Sequence, residues 1–312
     1  VAARCVALVG ATASGKSGCA IEVARARCDV EIVSVDSMAV YREMDLGTAK
    51  PSKQVLAAIP HHMIDVLDPS QECTVSWFQS SALAAIDEIR SRGKVPLLVG
   101  GTGLYHRAVV DELTIPAQYL AVRVSLEAEA STTEGRARLY QELLERDPPA
   151  AARIGEENTR RIVRALEVVR GSGRRFSSFG PGLEHYGDGM AIQIGLDAEI
   201  EVLDAAVADR VEVWIEQGFV EEVRALATRS QGLSRTAAQA IGYRELLEWL
   251  EKPVGTVPLG TPVEATVART RALLRRQRSW FRRDPRITWA TSPAAASELV
   301  DQAIERVGAA IG

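Results

Sequence analysis

Eight residues near the start of the chain limit its possible folds more than any others. Gly10-Ala-Thr-Ala-Ser-Gly15-Lys16-Ser17 has the spacing of a phosphate-binding loop. An apolar run, Cys5-Val-Ala-Leu-Val9, precedes it, and residues 16–27 after it carry helical periodicity. Strand, loop and helix therefore come in the order such a loop needs. The glycines let successive N–H groups turn inward, and the helix N-terminus adds partial positive charge. Lys16 supplies a point charge for a terminal phosphate, and the Ser17 hydroxyl suits Mg²⁺. The implied fold is a parallel α/β sheet flanked by helices.

The rest of the chain extends that reading. Residues 30–35 and 95–99 are further short apolar strands, and 192–195 a fourth. A helix from Thr74 or Ser76 to about Arg92 precedes Val95. Residues 121–146 and 158–170 look helical with no strand between them, and 171–189 is a Gly- and Ser-rich loop. Stretches 203–229, 234–250 and 263–281 are helical again. The expected organisation is an α/β core of residues 1–112 and 190–312, ending in a basic helix, with a smaller all-helical insertion at 113–189.

No apolar run reaches the length of a membrane helix, and no signal peptide is readable. Four scattered cysteines without a C-x-x-C pair suit reduced thiols and offer no zinc site, so a cytoplasmic protein is expected. Nothing signals a symmetric interface, and a monomer is the default expectation.

The net charge of −4 gives no reason to expect nucleic acid, but its distribution does. Residues 271–286 hold seven arginines against one acid, with Trp280 and Phe281 interleaved. A second basic cluster spans 153–175, and an acidic stretch, 197–222, lies between them. Such stripes suit phosphate contacts and base stacking, and equally suit the solvated face of a helix.

A switch or motor NTPase needs an acid after a later strand to hold Mg²⁺. Strand 95–99 ends instead in Gly100-Gly101-Thr102, whereas strand 30–35 ends in Asp36. An acid there lies where ligands bind in open α/β sheets. It is either a general base or Mg²⁺ aid, or a turn-capping residue. The loop points to group transfer more than to hydrolysis.

Several segments together resemble the tRNA dimethylallyltransferases. They are the phosphate loop, Ser34-Val-Asp-Ser-Met-Ala-Val-Tyr-Arg-Glu-Met-Asp-Leu-Gly-Thr-Ala-Lys-Pro51, Ile59-Pro-His-His-Met-Ile-Asp65 and Leu97-Leu-Val-Gly-Gly-Thr-Gly-Leu-Tyr105. Arg161-Ile-Val-Arg-Ala-Leu-Glu-Val168, Ala238-Gln-Ala-Ile-Gly-Tyr-Arg-Glu245 and Arg276-Gln-Arg-Ser-Trp-Phe-Arg-Arg283 follow in the family's order. The resemblance implies transfer of a dimethylallyl group from its diphosphate to N6 of the adenosine 3′ of the anticodon, in tRNAs reading codons that begin with U. It implies Mg²⁺ as cofactor and a tRNA anticodon stem-loop as partner, clasped by a mobile helical insertion. By the same resemblance Asp36 takes the N6 proton. Gly10, Thr12, Ala13, Ser14, Gly15, Lys16, Ser17 and Arg210 hold the diphosphate, with Thr12, Lys16 and Arg210 acting in catalysis and Ser17 on the metal. The implied tRNA contacts are Asp36, Ser37, Met38, Ala39, Thr102, Arg123, Arg160, Arg161 and Arg164. Gln239, Tyr243, Arg276, Arg278, Trp280, Arg282 and Arg283 complete that set.

The chain departs from the family at Ala39 and Arg160, where Gln is frequent. It departs again at Ala206, in place of an Arg four residues before Arg210, and at Gln118-Tyr-Leu120. None of these is a residue assigned to the chemistry. Competing readings are prenyl transfer to free AMP or ATP, a small-molecule kinase, and an inactive RNA-binding protein.

Overall fold

Alternate residues of a strand face opposite sides of its sheet, and short strands that are apolar at every position must be covered on both faces. The computed structural model, which describes residues 3–310, shows this arrangement. In chain order, β1 (Cys5–Val9) runs through the phosphate loop into α1 (Lys16–Ala26) and β2 (Val30–Val35). Then come α2 (Lys53–Ala58), the two-residue β3 (His61–His62), α3 (Val75–Ser91), β4 (Val95–Gly100) and α4 (Gly103–Val110). A separate unit, Leu113–Gly187, holds α5 (Leu120–Glu129), α6 (Thr133–Arg146), α7 (Pro148–Ile154) and α8 (Thr159–Ser172). The chain returns as β5 (Ala191–Leu196), α9 (Ile200–Glu216), α10 (Phe219–Ala227) and α11 (Arg235–Ala238). It finishes with α12 (Tyr243–Leu250), α13 (Gly260–Phe281), β6 (Ile287–Ala290) and α14 (Pro293–Gly308).

The six strands form one parallel sheet in the order β3-β2-β4-β1-β5-β6. On one face Ala7, Val9, Val33, Val35 and Leu98 pack against residues of α3, α9, α10 and α12. On the other, Val6, Leu8, Ile32 and Leu97 pack against α1 and α14. Leu8, Leu97 and Leu98 are buried, each contributing about 1.5–3 kcal/mol of transfer free energy. The helical unit has its own core, in which Leu126, Leu139, Leu143 and Leu166 meet. Among the described residues no helix is long and apolar enough to cross a membrane.

Strands β1, β2 and β4 begin where the sequence places them, and Thr74 rather than Ser76 caps α3, its hydroxyl accepting the Trp77 N–H at 3.2 Å. Three expected long helices are instead pairs. The 121–146 helix breaks before Thr132, whose hydroxyl accepts the Gly135 N–H and starts α6. The 203–229 helix breaks at Gly218 (φ 97°) and the 234–250 helix at Gly242 (φ 89°), both left-handed positions that glycine takes without strain. Strand β6 and helix α14 were not expected from the sequence.

Candidate active site

Because every strand is parallel, the carboxyl ends of β1, β2, β4 and β5 line one edge of the sheet. Strand β1 lies between β4 and β5 there, at the reversal of strand order beside which ligands bind in open α/β sheets. The phosphate loop leaves β1 at this edge. Ala13 (φ 66°) and Gly15 (φ 87°) are both left-handed, the alternation that turns backbone N–H groups into an anion-binding nest. Helix α1 has no side-chain cap and no acid in its first turn, so its N–H groups stay open to an anion.

Two cations serve this loop. Lys16 Nζ donates to the Ala11 carbonyl at 3.0 Å. Loss of water lowers the Lys16 pKa to about 8; the charge of Asp36 works against the shift, and that of Arg210 adds to it. Arg210, from the middle of α9, donates from Nη2 to the Thr12 hydroxyl at 2.7 Å. Its guanidinium lies 5.4 Å from the Trp214 ring centroid, one helical turn on. Burial pulls its pKa down, and the Asp36 charge opposes that. The Arg210 Nε and the Ser14 hydroxyl are buried without a hydrogen-bond partner. An unsatisfied buried polar group costs about 1–3 kcal/mol, and two at one loop mark it as shaped for something polar.

Asp36, at the end of β2, accepts the Met38 N–H at 2.8 Å through Oδ1 and so caps its own turn. It forms no ion pair with Lys16 or Arg210 among the described residues, although its charge acts on both. Ser17 is exposed on the first turn of α1. The described residues hold no cluster of three His, Cys, Asp or Glu side chains that suits a metal ion.

The sequence assigns no role to Gln277 of α13, yet its Oε1 accepts the Thr12 N–H at 2.8 Å and its Nε2 donates to the Gly101 carbonyl at 2.8 Å. Trp214, beneath Arg210, was also missed.

Comparison with known proteins gives the family. Residues 39–284 match the IPP transferase family. The chain is 47% identical over 306 residues to a tRNA dimethylallyltransferase of Nocardioides sp., covering 98% of this chain and 96% of the relative. A tRNA dimethylallyltransferase of Salinispora arenicola is 44% identical over 305 residues, covering 98% and 86%. This chain belongs to the tRNA dimethylallyltransferase family. It is a transferase, and its α/β fold is that of solved members. The full-length tRNA isopentenylpyrophosphate transferase of Bacillus halodurans matches with a TM-score of 0.68 at 34% identity over 98% of both chains. A eukaryotic dimethylallyltransferase crystallised in the course of acting on tRNA matches with 0.76 at 25% identity, over 96% of this chain and 76% of the other.

Two of the segments that carry the resemblance, Asp45–Pro51 and Gly242-Tyr-Arg, pack against each other. A side chain at Gly47 would fall 2.5 Å from the rings of Tyr243 and Phe219. Glu222 joins them, accepting the Leu46 N–H at 3.0 Å and the Tyr243 hydroxyl at 2.6 Å. Lys50 is buried and ties the Tyr41 carbonyl (2.6 Å) to Asp45 (2.7 Å) and Asp65. Tyr243 is therefore a core residue, and its expected place among the tRNA contacts is corrected: nothing of it reaches the surface. Ser37 and Ala39 are likewise buried, behind Asp36 and the half-buried Met38.

Carboxylates claim half of the expected tRNA-binding arginines, Arg123, Arg164, Arg278 and Arg282. Arg278 makes a two-pronged pair with Asp197 (2.8 and 3.0 Å), and Arg282 reaches the same carboxylate at 2.6 Å. Burial pushes the Asp197 carboxyl up, but these hydrogen bonds outweigh it and hold the group below the usual carboxylate range. Arg275 pairs with Asp204 at 2.6 Å, and Arg286 with Asp111 at 2.6 Å. Trp280 packs on Gly103 at the start of α4 and is only half open. In the helical unit Arg123 and Arg164 converge on the buried Glu167, and Arg164 also donates to the Pro116 and Ala117 carbonyls. Arg160, Arg161, Gln239, Arg276 and Arg283 remain exposed, and Thr102 is half-buried at the end of β4.

Proposed function

We propose that this chain transfers a dimethylallyl group from dimethylallyl diphosphate to N6 of the adenosine immediately 3′ of the anticodon. The tRNAs would be those reading codons that begin with U, and diphosphate would be released. The activity class follows from the family. The observation that carries the finer reading is the edge itself: a nest with two cations, one carboxylate whose charge acts on both, and no acid where β4 ends.

In the reaction the adenine N6 lone pair forms a bond to C1 of the dimethylallyl group as the C1–O bond breaks. The bonding electrons leave with the diphosphate. The N–H groups at the start of α1, Lys16 and Arg210 meet the charge that develops on that oxygen, and they are already in place before it forms. Thr12, Ala13, Ser14 and Gly15 shape the cradle. Asp36 receives the proton that N6 sheds; its turn hydrogen bond fixes one oxygen and leaves the other for the amine. The adenine must leave its stack to reach the edge.

The donor set fits Mg²⁺, which takes one or two protein groups together with phosphate oxygens and water. The Ser17 hydroxyl would hold it against the diphosphate, and when bound it supplies positive charge to the leaving group. For tRNA, the exposed Arg160 and Arg161 of the helical unit, Arg276 of α13 and Arg283 just after it supply phosphate contacts.

The test is a transfer assay with radiolabelled dimethylallyl diphosphate, Mg²⁺ and unmodified tRNA, with AMP and ATP in parallel. Label enters tRNA alone. Asp36→Asn loses at least a hundredfold in transfer while binding tRNA as the wild type does. Label in AMP or ATP, or ATP consumed without transfer, overturns the reading. Full transfer by Asp36→Asn removes that residue from the proton step.

A further inference from the structure

We infer that Gln277 is a positioning residue for diphosphate, holding the phosphate loop in its binding shape from outside the loop. The inference rests on the diphosphate reading of that loop. Thr12 is held at both ends: its N–H donates to Gln277 Oε1 at 2.8 Å, and its hydroxyl accepts from Arg210 at 2.7 Å. The next residue, Ala13, sits at φ 66°, a left-handed conformation that costs an L-residue with a side chain and persists only where its surroundings over-determine it. The doubly held Thr12 does this. It also assigns the loop's N–H groups: the one at Thr12 is spent on Gln277, and those at the start of α1 are left for the anion.

The side chain at 277 must be an amide. One end accepts from a backbone N–H of the loop, and the other donates to the Gly101 carbonyl at 2.8 Å on the turn after β4. A glutamine amide carries both functions on one planar group at every pH, and asparagine is one methylene too short. The fit is close. A side chain at Gly101 would fall 2.6 Å from Gln277 Nε2 and 3.0 Å from the Gly10 carbonyl. Thus the β1 loop, the β4 turn and α13 meet through one amide. Its neighbour Arg278 anchors the same turn of α13 to Asp197 and the Ala198 carbonyl after β5, so the amide is presented from a fixed base.

Gln277→Met keeps the length and volume of the side chain and removes both hydrogen bonds. Isothermal calorimetry with inorganic diphosphate and Mg²⁺, and steady-state transfer with dimethylallyl diphosphate and tRNA, read the effect. The expected result is about a tenfold loss of diphosphate affinity and a matching rise in KM for the prenyl donor, with tRNA affinity unchanged. Gln277→Glu keeps the acceptor for Thr12 but sets a carboxylate against the Gly101 carbonyl and the anion. It binds diphosphate more weakly still. Wild-type diphosphate affinity and donor KM in Gln277→Met, in a folded protein that binds tRNA, overturn the inference. Equal loss of donor and tRNA binding overturns it too, since that marks a structural part only. Failure of the wild type itself to bind diphosphate overturns the reading beneath it, and is seen before any variant is made.

Discussion

The cations of the phosphate loop and those of α13 are placed in opposite ways. Lys16 and Arg210 are drawn out of water, and no carboxylate pairs with either among the described residues. At the end of α13, the exposed Arg275 and Arg282 and the half-buried Arg278 each hold an aspartate within 2.8 Å. Ordinarily a buried charge is paired and a surface charge is left to solvent. The inversion shows which positive charge is kept in reserve. The loop keeps uncompensated charge at a cost in stability, and Arg275, Arg278 and Arg282 spend theirs fastening α13 to α9 and to the turn after β5. Arginine density alone does not tell the two apart; the neighbouring carboxylates do.

The most severe way to break this comparison is to remove the reserved charge. Arg210→Met lowers transfer by about a hundredfold or more while leaving stability equal to or above the wild type, because an incompletely satisfied buried cation is replaced by an apolar side chain. The mirror substitution, Arg278→Ala, destabilises by about 1–2 kcal/mol, since it takes the two-pronged partner from the mostly buried Asp197 and leaves it Arg282 alone. Urea melts and transfer rates on both variants decide the matter: a destabilised Arg210→Met would show its charge to be structural after all.

Lys16 sharpens the comparison through pH. With its pKa lowered to about 8, the free enzyme carries the ammonium below that value and loses it above. Diphosphate binding by the wild type therefore weakens about tenfold between pH 7 and 9, relative to Lys16→Arg, whose charge does not titrate there. Calorimetry at the two pH values measures it, and parallel behaviour of the two proteins would remove Lys16 from anion binding. The smallest effect concerns the open arginines of α8. Arg160→Ala with Arg161→Ala lowers the salt slope of tRNA binding by about 2 and moves stability by no more than about 0.5 kcal/mol. An unchanged slope in filter binding across salt concentrations would leave those residues as solvated surface.

Much of this was legible in the sequence, and what was not has a common cause. Strands β1, β2 and β4 and the loop between β1 and α1 carry their signals locally. Gly218 and Gly242 are local signals too, but apolar periodicity runs straight through them and masks the breaks. Strand β6 is four residues long with an exposed Thr288, too short and too mixed to stand out beside the arginines before it. The roles within α13 are of another kind. Gln277 finds its partner 265 positions away and Arg278 finds Asp197 81 positions away, distances no local pattern spans. The acidic stretch at 197–222 was the available clue, since opposite charges on two helical segments invite pairing. Tyr243 was misplaced for the same reason: its motif is distinctive, and distinctiveness does not separate a residue that touches a substrate from one that shapes the core.

The strand order also fixes a timetable. Cys5 of β1 pairs with Ala191 of β5, so one side of the central strand lacks its partner until the intervening chain, including all of the helical unit, has been synthesised. At about 5–20 residues per second, β1 waits on the order of ten seconds or more with that edge unsatisfied. Meanwhile β2 and β4 are already available, and the helical unit has a core of its own to close. The nascent chain thus emerges as a half-sheet with an open edge, followed by a self-sufficient helical bundle. An open apolar edge is a template for wrong pairing. The length of the insertion therefore sets how long the growing protein is vulnerable to aggregation on the ribosome.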